Sequence, residues 1–165
     1  MSEQQTDTVT PDVVAEPGDQ SETEPVTDHR GLRVLTLEEC LDKIRSATIG
    51  RVAFAKDGEV VILPVNHIVD GLDVVFRTTW GSKLQVAADG GQVAFEVDGL
   101  GEVAATGWSV LVQGTALIVE DQRDRRRFER SAPRPWVRDD GISYWVLIRP
   151  TQVTGREIIR SAKTE

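Results

Sequence analysis

Three runs of alternating apolar and polar residues lie between residues 51 and 79, and two tight turns separate them. The turns are marked by Asp57-Gly58 and Asp70-Gly71, pairs that close hairpins because glycine and aspartate tolerate a positive φ. Runs with a period of two, joined by such short turns, form neighbouring antiparallel strands. The sequence therefore predicts an antiparallel meander here, which disfavours a parallel sheet.

The rest of the chain adds strands and short helices. Strands are predicted at 51–55, 60–69, 72–79, 92–98, 107–119 and 143–148, and helices at 37–45, 83–88 and 121–130. Pro64 has no N–H to donate, so it belongs at an edge or a bulge. Gly114, inside a long strand, indicates the kind of bend that closes a barrel. This spacing predicts a mainly β protein, a six-stranded antiparallel barrel with two or three short helices.

The first helix is marked by a capping box, with Thr36 as N-cap and Glu39 at the third helical position. Cys40 shares an apolar face with Leu41 and Ile44, so we interpret it as a core residue and not as a nucleophile. A lone cysteine cannot form an internal disulfide, which favours a reducing compartment.

The charge of the chain is concentrated at its N-terminus. Of 27 acidic residues, eight lie within residues 1–29, which contain no Lys or Arg, and this leaves 19 acids against 19 bases elsewhere. We therefore predict a disordered acidic tail at 1–31, one folded domain at 32–160 and a disordered end at 161–165. There is no signal peptide pattern and no apolar run of about 20 residues, so a cytoplasmic protein is expected.

The stretch from Arg77 to Lys83 carries many hydrogen-bond donors between a strand and a helix. Arg77 offers a planar fork, Lys83 a point charge, and Thr78 and Ser82 offer hydroxyls, with Ser82 as the predicted N-cap. Such a turn is typical of a phosphate site. The alternative from the residues alone is a capped turn with surface charges.

Other candidate residues favour structural interpretations. His67, on a strand, is interpreted as a half-buried packing residue, with orientation of a substrate as the alternative. Glu96 lies on the polar face of its strand, and the alternatives for its side chain are the barrel mouth and solvent. Five arginines between residues 123 and 130 are interleaved with acids, which is typical of a solvated helix face and not of a nucleic-acid site. The scattered histidines and cysteine predict no metal site.

Taken in order, several segments of this chain resemble the pyridoxamine 5'-phosphate oxidase-like family, in its nitroimidazole-resistance-like branch. These segments are Gly50-Arg51-Val52-Ala53-Phe54, Pro64-Val65-Asn66-His67, Phe76-Arg77-Thr78, Gly81-Ser82-Lys83, Val93 to Asp98 and Gly107 to Gly114. The resemblance covers roughly residues 35–156. It implies a flavin-binding split β-barrel of Greek-key type, usually a homodimer with two flavin sites at the subunit interface.

The resemblance also implies roles for individual residues. The phosphate of FMN would meet Arg77, Thr78, Ser82 and Lys83, and the backbone of Pro64-Val65-Asn66 would run beside the flavin ring. Trp108 and Ser109 would flank that ring. The last strand, from Tyr144-Trp145 to Arg156, would supply contacts from the other subunit. No side chain is then expected as a catalytic acid, base or nucleophile.

We find no match for two motifs of true pyridoxamine phosphate oxidases, the arginine-led strand motif and the C-terminal segment that grips their substrate. The expected function is an FMN-dependent oxidoreductase acting on a small organic acceptor. The alternatives are a deazaflavin-dependent reductase on the same fold and a non-catalytic flavin-binding dimer. Neither nucleic acid nor a membrane is expected as a partner. The tryptophans, at 80, 108, 136 and 145, favour an interface or a planar ligand.

Overall fold

Every strand predicted from the alternating runs is present in the computed structural model, which describes residues 25–79, 81–101, 105–132 and 142–159. In chain order the elements are β1 (Arg33–Val34), α1 (Leu37–Ser46), β2 (Ile49–Lys56), β3 (Glu59–Asp70), β4 (Asp73–Thr79), α2 (Ser82–Ala88), β5 (Gln92–Leu100), β6 (Gly107–Ile118), α3 (Gln122–Ser131) and β7 (Ser143–Ile158). Two of the tryptophans, Trp80 and Trp136, and most of the acidic tail lie outside the described residues.

The described strands form one antiparallel sheet in the order β1-β7-β4-β3-β2-β5-β6, and β6 pairs again with β7. Strands β2 to β7 therefore close into a ring, and the prediction of a six-stranded antiparallel barrel is confirmed. The hairpin between β2 and β3 turns at Asp57 and Gly58, both with positive φ. Pro64 pairs with Arg51 of β2, and the described part of β4 joins β3 only from His67 onward, so Pro64 lies on a locally free edge.

The last strand is longer than predicted. It was expected to end before Pro150, but β7 runs for 16 residues and pairs with β6 along most of its length. Pro150 lies opposite Gly114, where the register shifts between Gln113 and Gly114, and a proline is tolerated at such a bulge. A Cβ on Gly114 would come within 2.2 Å of the carbonyl oxygen of Arg149, so glycine permits this close approach.

Two helices help to fill the main core. The α1 helix has the predicted capping box and packs on β7, β3 and β6, with Cys40 and Ile44 buried. The α2 helix packs mostly on β6 and buries Leu84 and Ala87. Its N-cap is Gly81 and not Ser82, because the helix begins one residue earlier than predicted and Ser82 is its first residue. None of the described helices is long and apolar enough to cross a membrane.

The third helix covers the outer face of the barrel. Neighbouring residues of a strand point to opposite faces, and on β4 Val74 and Phe76 join the main core while Val75 joins a second cluster. In that cluster Phe128 of α3 packs against Trp145 of β7, with ring centroids 5.7 Å apart. The five arginines of α3 are exposed, in agreement with the predicted solvated helix face: Arg123, Arg125, Arg126, Arg127 and Arg130.

A small hairpin precedes α1. The amide of Val34 donates to the carbonyl of Val26 at 2.7 Å, Thr27 bridges to Arg33, and β1 then pairs with β7. Asp28 stabilises the turn, because its Oδ1 accepts the amide N–H groups of Arg30 and Leu32. Residues 25–31 of this hairpin belong to the stretch predicted as a disordered tail at 1–31. The boundary of the domain at residue 31 stays a prediction.

Candidate functional site

Arg77 lies near the end of β4, on the outer face that α3 partly covers. It stands opposite Trp145 of β7, and its guanidinium lies 5.9 Å from the centroid of the Trp145 ring. One carboxylate bridges the two side chains. Glu129 of α3 accepts from Nη1 of Arg77 at 3.1 Å and from Nε1 of Trp145 at 3.2 Å. Two donors from two strands therefore converge on one anionic group.

A cavity of about 80 Å³ adjoins this pair. Asn66 of β3 lines it together with Arg77 and Trp145, and Ala132 closes part of its wall. The Oδ1 atom of Asn66 is buried and has no hydrogen-bond partner among the described residues. A buried acceptor without a partner is costly, so the cavity is suited to a group that donates a hydrogen bond. The structure thus brings together two of the predicted cofactor-binding residues, Asn66 and Arg77.

The other residues predicted on this side have different surroundings. Thr78 is buried, and its hydroxyl donates to the carbonyl of Thr79 at 3.3 Å. Val65 is buried in the barrel core, while Pro64 is exposed. Ser82 is half-buried at the start of α2, and the side chain of Lys83 lies outside the described part of the structure. Any cofactor contact of Val65 would therefore use its backbone, as the resemblance implies.

Trp108 and Ser109 line a separate cleft of about 500 Å³ near the start of β6, together with Leu32 and Arg156. Trp108 pairs with Glu157 at the far end of β7, whereas Arg77 pairs with Trp145 near its start. About a dozen residues separate those two positions, roughly 40 Å measured along the strand. Within one chain, the structure therefore does not bring Trp108 and Ser109 together with Arg77.

Charged groups are closely paired beside the Trp108 cleft. Glu157 accepts from Lys43 at 3.0 Å and also from Arg33, and the ammonium of Lys43 lies 5.1 Å from the Trp108 ring centroid. Burial would raise the pKa of Glu157, but the hydrogen bonds from Arg33 and Lys43 outweigh it and lower that pKa. Arg156 donates through Nε to Asp28 at 3.0 Å. The bases at this end of the barrel are thus largely neutralised by acids of the same chain.

His67 and Glu96 both form hydrogen bonds with other groups of the protein. His67 is buried, and its Nε2 lies 2.9 Å from the carbonyl oxygen of Ile44, in agreement with the packing interpretation. Glu96 lies on the outer surface and accepts from Arg51 at 3.1 Å, so it forms a surface ion pair. Glu96 does not belong to the Arg77 site, whereas His67 lines the same cavity as Asn66 and Arg77.

Sequence reasoning missed one residue of the Arg77 site and one contact of another. The sequence shows Glu129 only as one of the acids interleaved with the arginines of α3, and no local signal distinguishes it from the others. Trp145 contacts Arg77 and Glu129 within its own chain, and its predicted contribution to the other subunit's site stays a prediction. Both contacts depend on the pairing of β4 with β7 and on the docking of α3, which are long-range features.

Comparison with known proteins gives a consistent family assignment. The family model described as "Pyridoxamine 5'-phosphate oxidase" matches residues 36–157. The uncharacterized protein Rv0080 of Mycobacterium tuberculosis is 37% identical over 135 residues, which cover 79% of this chain and 88% of that protein.

Solved structures agree with this family assignment. One, described as the FAD binding protein from Mycobacterium smegmatis, is 36% identical with a TM-score of 0.62, covering 75% of this chain and 96% of that one. A candidate 5-nitroimidazole antibiotic resistance protein from Bacteroides thetaiotaomicron shares the fold alone. Its TM-score is 0.60 at 13% identity, and the match covers 86% of this chain and 96% of that one. The chain belongs to the pyridoxamine 5'-phosphate oxidase-like family and has its split-barrel fold.

Proposed function

We propose that this protein binds a flavin, with FMN as the expected form, and acts as an oxidoreductase on a small organic acceptor. The observation that carries the proposal is the convergence of Arg77 and the indole N–H of Trp145 on one carboxylate. A phosphate monoester presents oxygens of the same kind to the same donors. Membership of a family with flavin-binding relatives supports a flavin as the molecule that carries this phosphate.

The residues of the site fit a flavin in two respects. The guanidinium of Arg77 is suited to a dianionic phosphate, because charge-assisted hydrogen bonds are the strong class. The Oδ1 atom of Asn66 needs a donor, and because it lines the same cavity as Arg77, the ribityl hydroxyls next to the phosphate are the flavin donors within its reach. Thr78, Ser82 and Lys83 remain further predicted contacts of the phosphate, and Pro64 and Val65 remain predicted contacts of the ring.

The protein's own groups would bind and orient the reactants. A bound flavin supplies the electron or hydride transfer. Among the described residues, the only histidine near the site, His67, is buried and hydrogen-bonded to Ile44, and Cys40 is buried in the core. Cys40 is not placed to act on a ligand beside Arg77, and His67, which lines the same cavity as Arg77, remains the predicted alternative for orienting a substrate.

We also propose that two copies of the chain build each site. Trp108 and Ser109 are predicted to flank the ring, yet they lie at the other end of β7 from Arg77. A two-fold dimer would place these residues of one chain beside Arg77 of the other. An apolar strip on β2 and β3 offers a surface for this contact. It consists of the exposed residues Ala55, Val60, Ile62 and Pro64 and the half-buried Ala53.

Purification tests the proposed cofactor. The protein should be isolated with a bound chromophore, and mass spectrometry of the molecule released on denaturation should identify FMN. FAD is a second candidate, because the Mycobacterium smegmatis relative is described as binding it; a deazaflavin is the third. Reduction by a nicotinamide or a deazaflavin donor then separates an enzyme from a flavin-binding protein. A colourless protein that binds none of the three molecules rejects the proposal.

Replacing Arg77 tests the phosphate contact directly. We expect R77Q to bind FMN at least about tenfold more weakly, because a hydrogen bond to a charged group contributes about 1.5–3 kcal/mol. Affinity for riboflavin, which has no phosphate, should stay unchanged. R149Q is the matched control, since Arg149 is an exposed arginine on β7 that pairs with Asp73 outside the site. Equal FMN affinity in R77Q and wild type would contradict the contact.

A further inference from the structure

The Glu129 carboxylate accepts hydrogen bonds from Arg77 and Trp145, the two donors that the proposed function assigns to the cofactor phosphate. Its Oε1 accepts from Arg77 at 3.1 Å and its Oε2 from the Trp145 indole at 3.2 Å. Trp145 is only 6% exposed, so its N–H has limited access to water and needs an acceptor from within the site. A carboxylate and a phosphate cannot both occupy these two donors.

The position of Glu129 does not depend on its contact with Arg77. Phe128, the preceding residue, is buried against Trp145, and Arg127 forms an ion pair with Asp70 at 2.6 Å. The helix also has an N-cap, since Asp121 accepts two amide N–H groups of the first turn. The backbone of α3 is therefore fixed by other contacts, and it presents the Glu129 carboxylate to the site.

The Glu129 side chain can nonetheless rotate away from Arg77 and Trp145. It is 61% exposed, and rotation about its own bonds would carry the carboxylate into solvent without moving α3. Exposed ion pairs contribute little to stability. A dianionic phosphate would offer Arg77 a stronger partner than a single carboxylate, so an incoming phosphate can displace this side chain.

We propose that Glu129 is an internal competitor for the anion that binds Arg77 and Trp145, and that it sets the affinity of the site for phosphate-bearing ligands. The inference rests on the proposed function for the identity of the natural ligand. It adds a residue that weakens binding of the phosphate and leaves binding of the flavin ring unaffected. Release of the cofactor is then assisted by a carboxylate that returns to Arg77.

The test compares E129Q with D124N. Glutamine removes the charge of Glu129 and retains an oxygen that can accept from Trp145. Asp124 lies on the same helix and pairs with Arg127, so D124N changes the net charge equally without touching the site. Flavin fluorescence should show FMN bound about three- to tenfold more tightly by E129Q than by wild type or D124N. Riboflavin should bind all three proteins equally.

A titration with inorganic phosphate separates this inference from the proposed function. In ¹⁵N-labelled protein, the indole N–H signal of Trp145, assigned with W145F, should shift at lower phosphate concentration in E129Q than in wild type. If no form binds a flavin, the proposed function fails, while the phosphate titration still tests the competition. Equal or weaker FMN binding by E129Q, or an indole signal that phosphate never moves in E129Q, overturns the inference.

Discussion

At the scale of single residues, His67 shows how the barrel interior controls ionisation. Its ring is buried, donates through Nε2 to the Ile44 carbonyl and meets the Phe95 ring edge-on at 4.9 Å. Burial lowers the pKa of His67 below its ordinary value of 6.5, and the hydrogen bond to Ile44 opposes this only in part. The folded protein therefore resists protonation of His67 at a pH where the unfolded chain accepts the proton.

This difference predicts a loss of stability in mild acid. Above pH 6.5 both states hold a neutral His67, and the free energy of unfolding has no dependence on its titration. Below that pH only the unfolded state gains the proton, so stability falls by at most about 1.4 kcal/mol per pH unit until the folded pKa is reached. Urea denaturation at pH 7.5 and 5.5 should show this loss in wild type.

Two variants isolate the contribution of His67. H67Q keeps a donor for Ile44 without the titration, so its loss of stability between the two pH values should be smaller than that of wild type. H29Q is the control, because His29 is exposed in the N-terminal hairpin and is the only other histidine of the chain. If H67Q and wild type lose the same stability, His67 does not carry the effect.

At the scale of secondary structure, local signals decided which elements could be predicted. The hairpin at Asp57-Gly58 and the capped α1 were predictable because their signals lie within a few residues. The second half of β7 was not predictable, because a proline such as Pro150 is, from its local sequence, a signal that a strand ends. Its tolerance depends on the bulge opposite Gly114, 36 residues earlier in the chain. Arg77 was identified as a donor from its own chemistry, whereas its contact with Glu129 required the packing of α3.

The hairpin before α1 gives a prediction at this scale. Deletion of residues 1–24 should leave Tm unchanged, because that segment has too few apolar residues to add to the core. Deletion of residues 1–31 should lower Tm by a few degrees, since it removes the bridge from Thr27 to Arg33 and the contact of Asp28 with Arg156. Thermal unfolding followed by circular dichroism measures both.

A point variant separates the ion pair from the hairpin as a whole. D28N retains an oxygen for the amides of Arg30 and Leu32 but removes the charge that faces Arg156. Its Tm should lie between those of the two deletions. Equal Tm values for both deletions would show that residues 25–31 do not stabilise the domain.

At the scale of the whole molecule, the two halves of the predicted site lie far apart in one chain. Arg77 and Asn66 share a cavity near the start of β7, while Trp108 and Ser109 line a cleft near its end. A monomer would have to bind a flavin through the Arg77 side alone. The exposed strip on β2 and β3, where Val60 and Ile62 are 77% and 62% exposed, is the apolar surface through which we expect two chains to meet.

A two-fold dimer is therefore the last prediction. Sedimentation should give about twice the chain mass of 18.2 kDa, and dilution that dissociates the dimer should release the flavin. I62D places a charge in the apolar strip and should yield a monomer with weakened FMN binding. L72D is the control, because Leu72, which is 52% exposed in the turn between β3 and β4, lies outside the strip and does not line either cleft, and it should remain dimeric. A monomeric I62D that binds FMN as tightly as wild type would show that one chain suffices, and Trp108 and Ser109 would then have no role in the site.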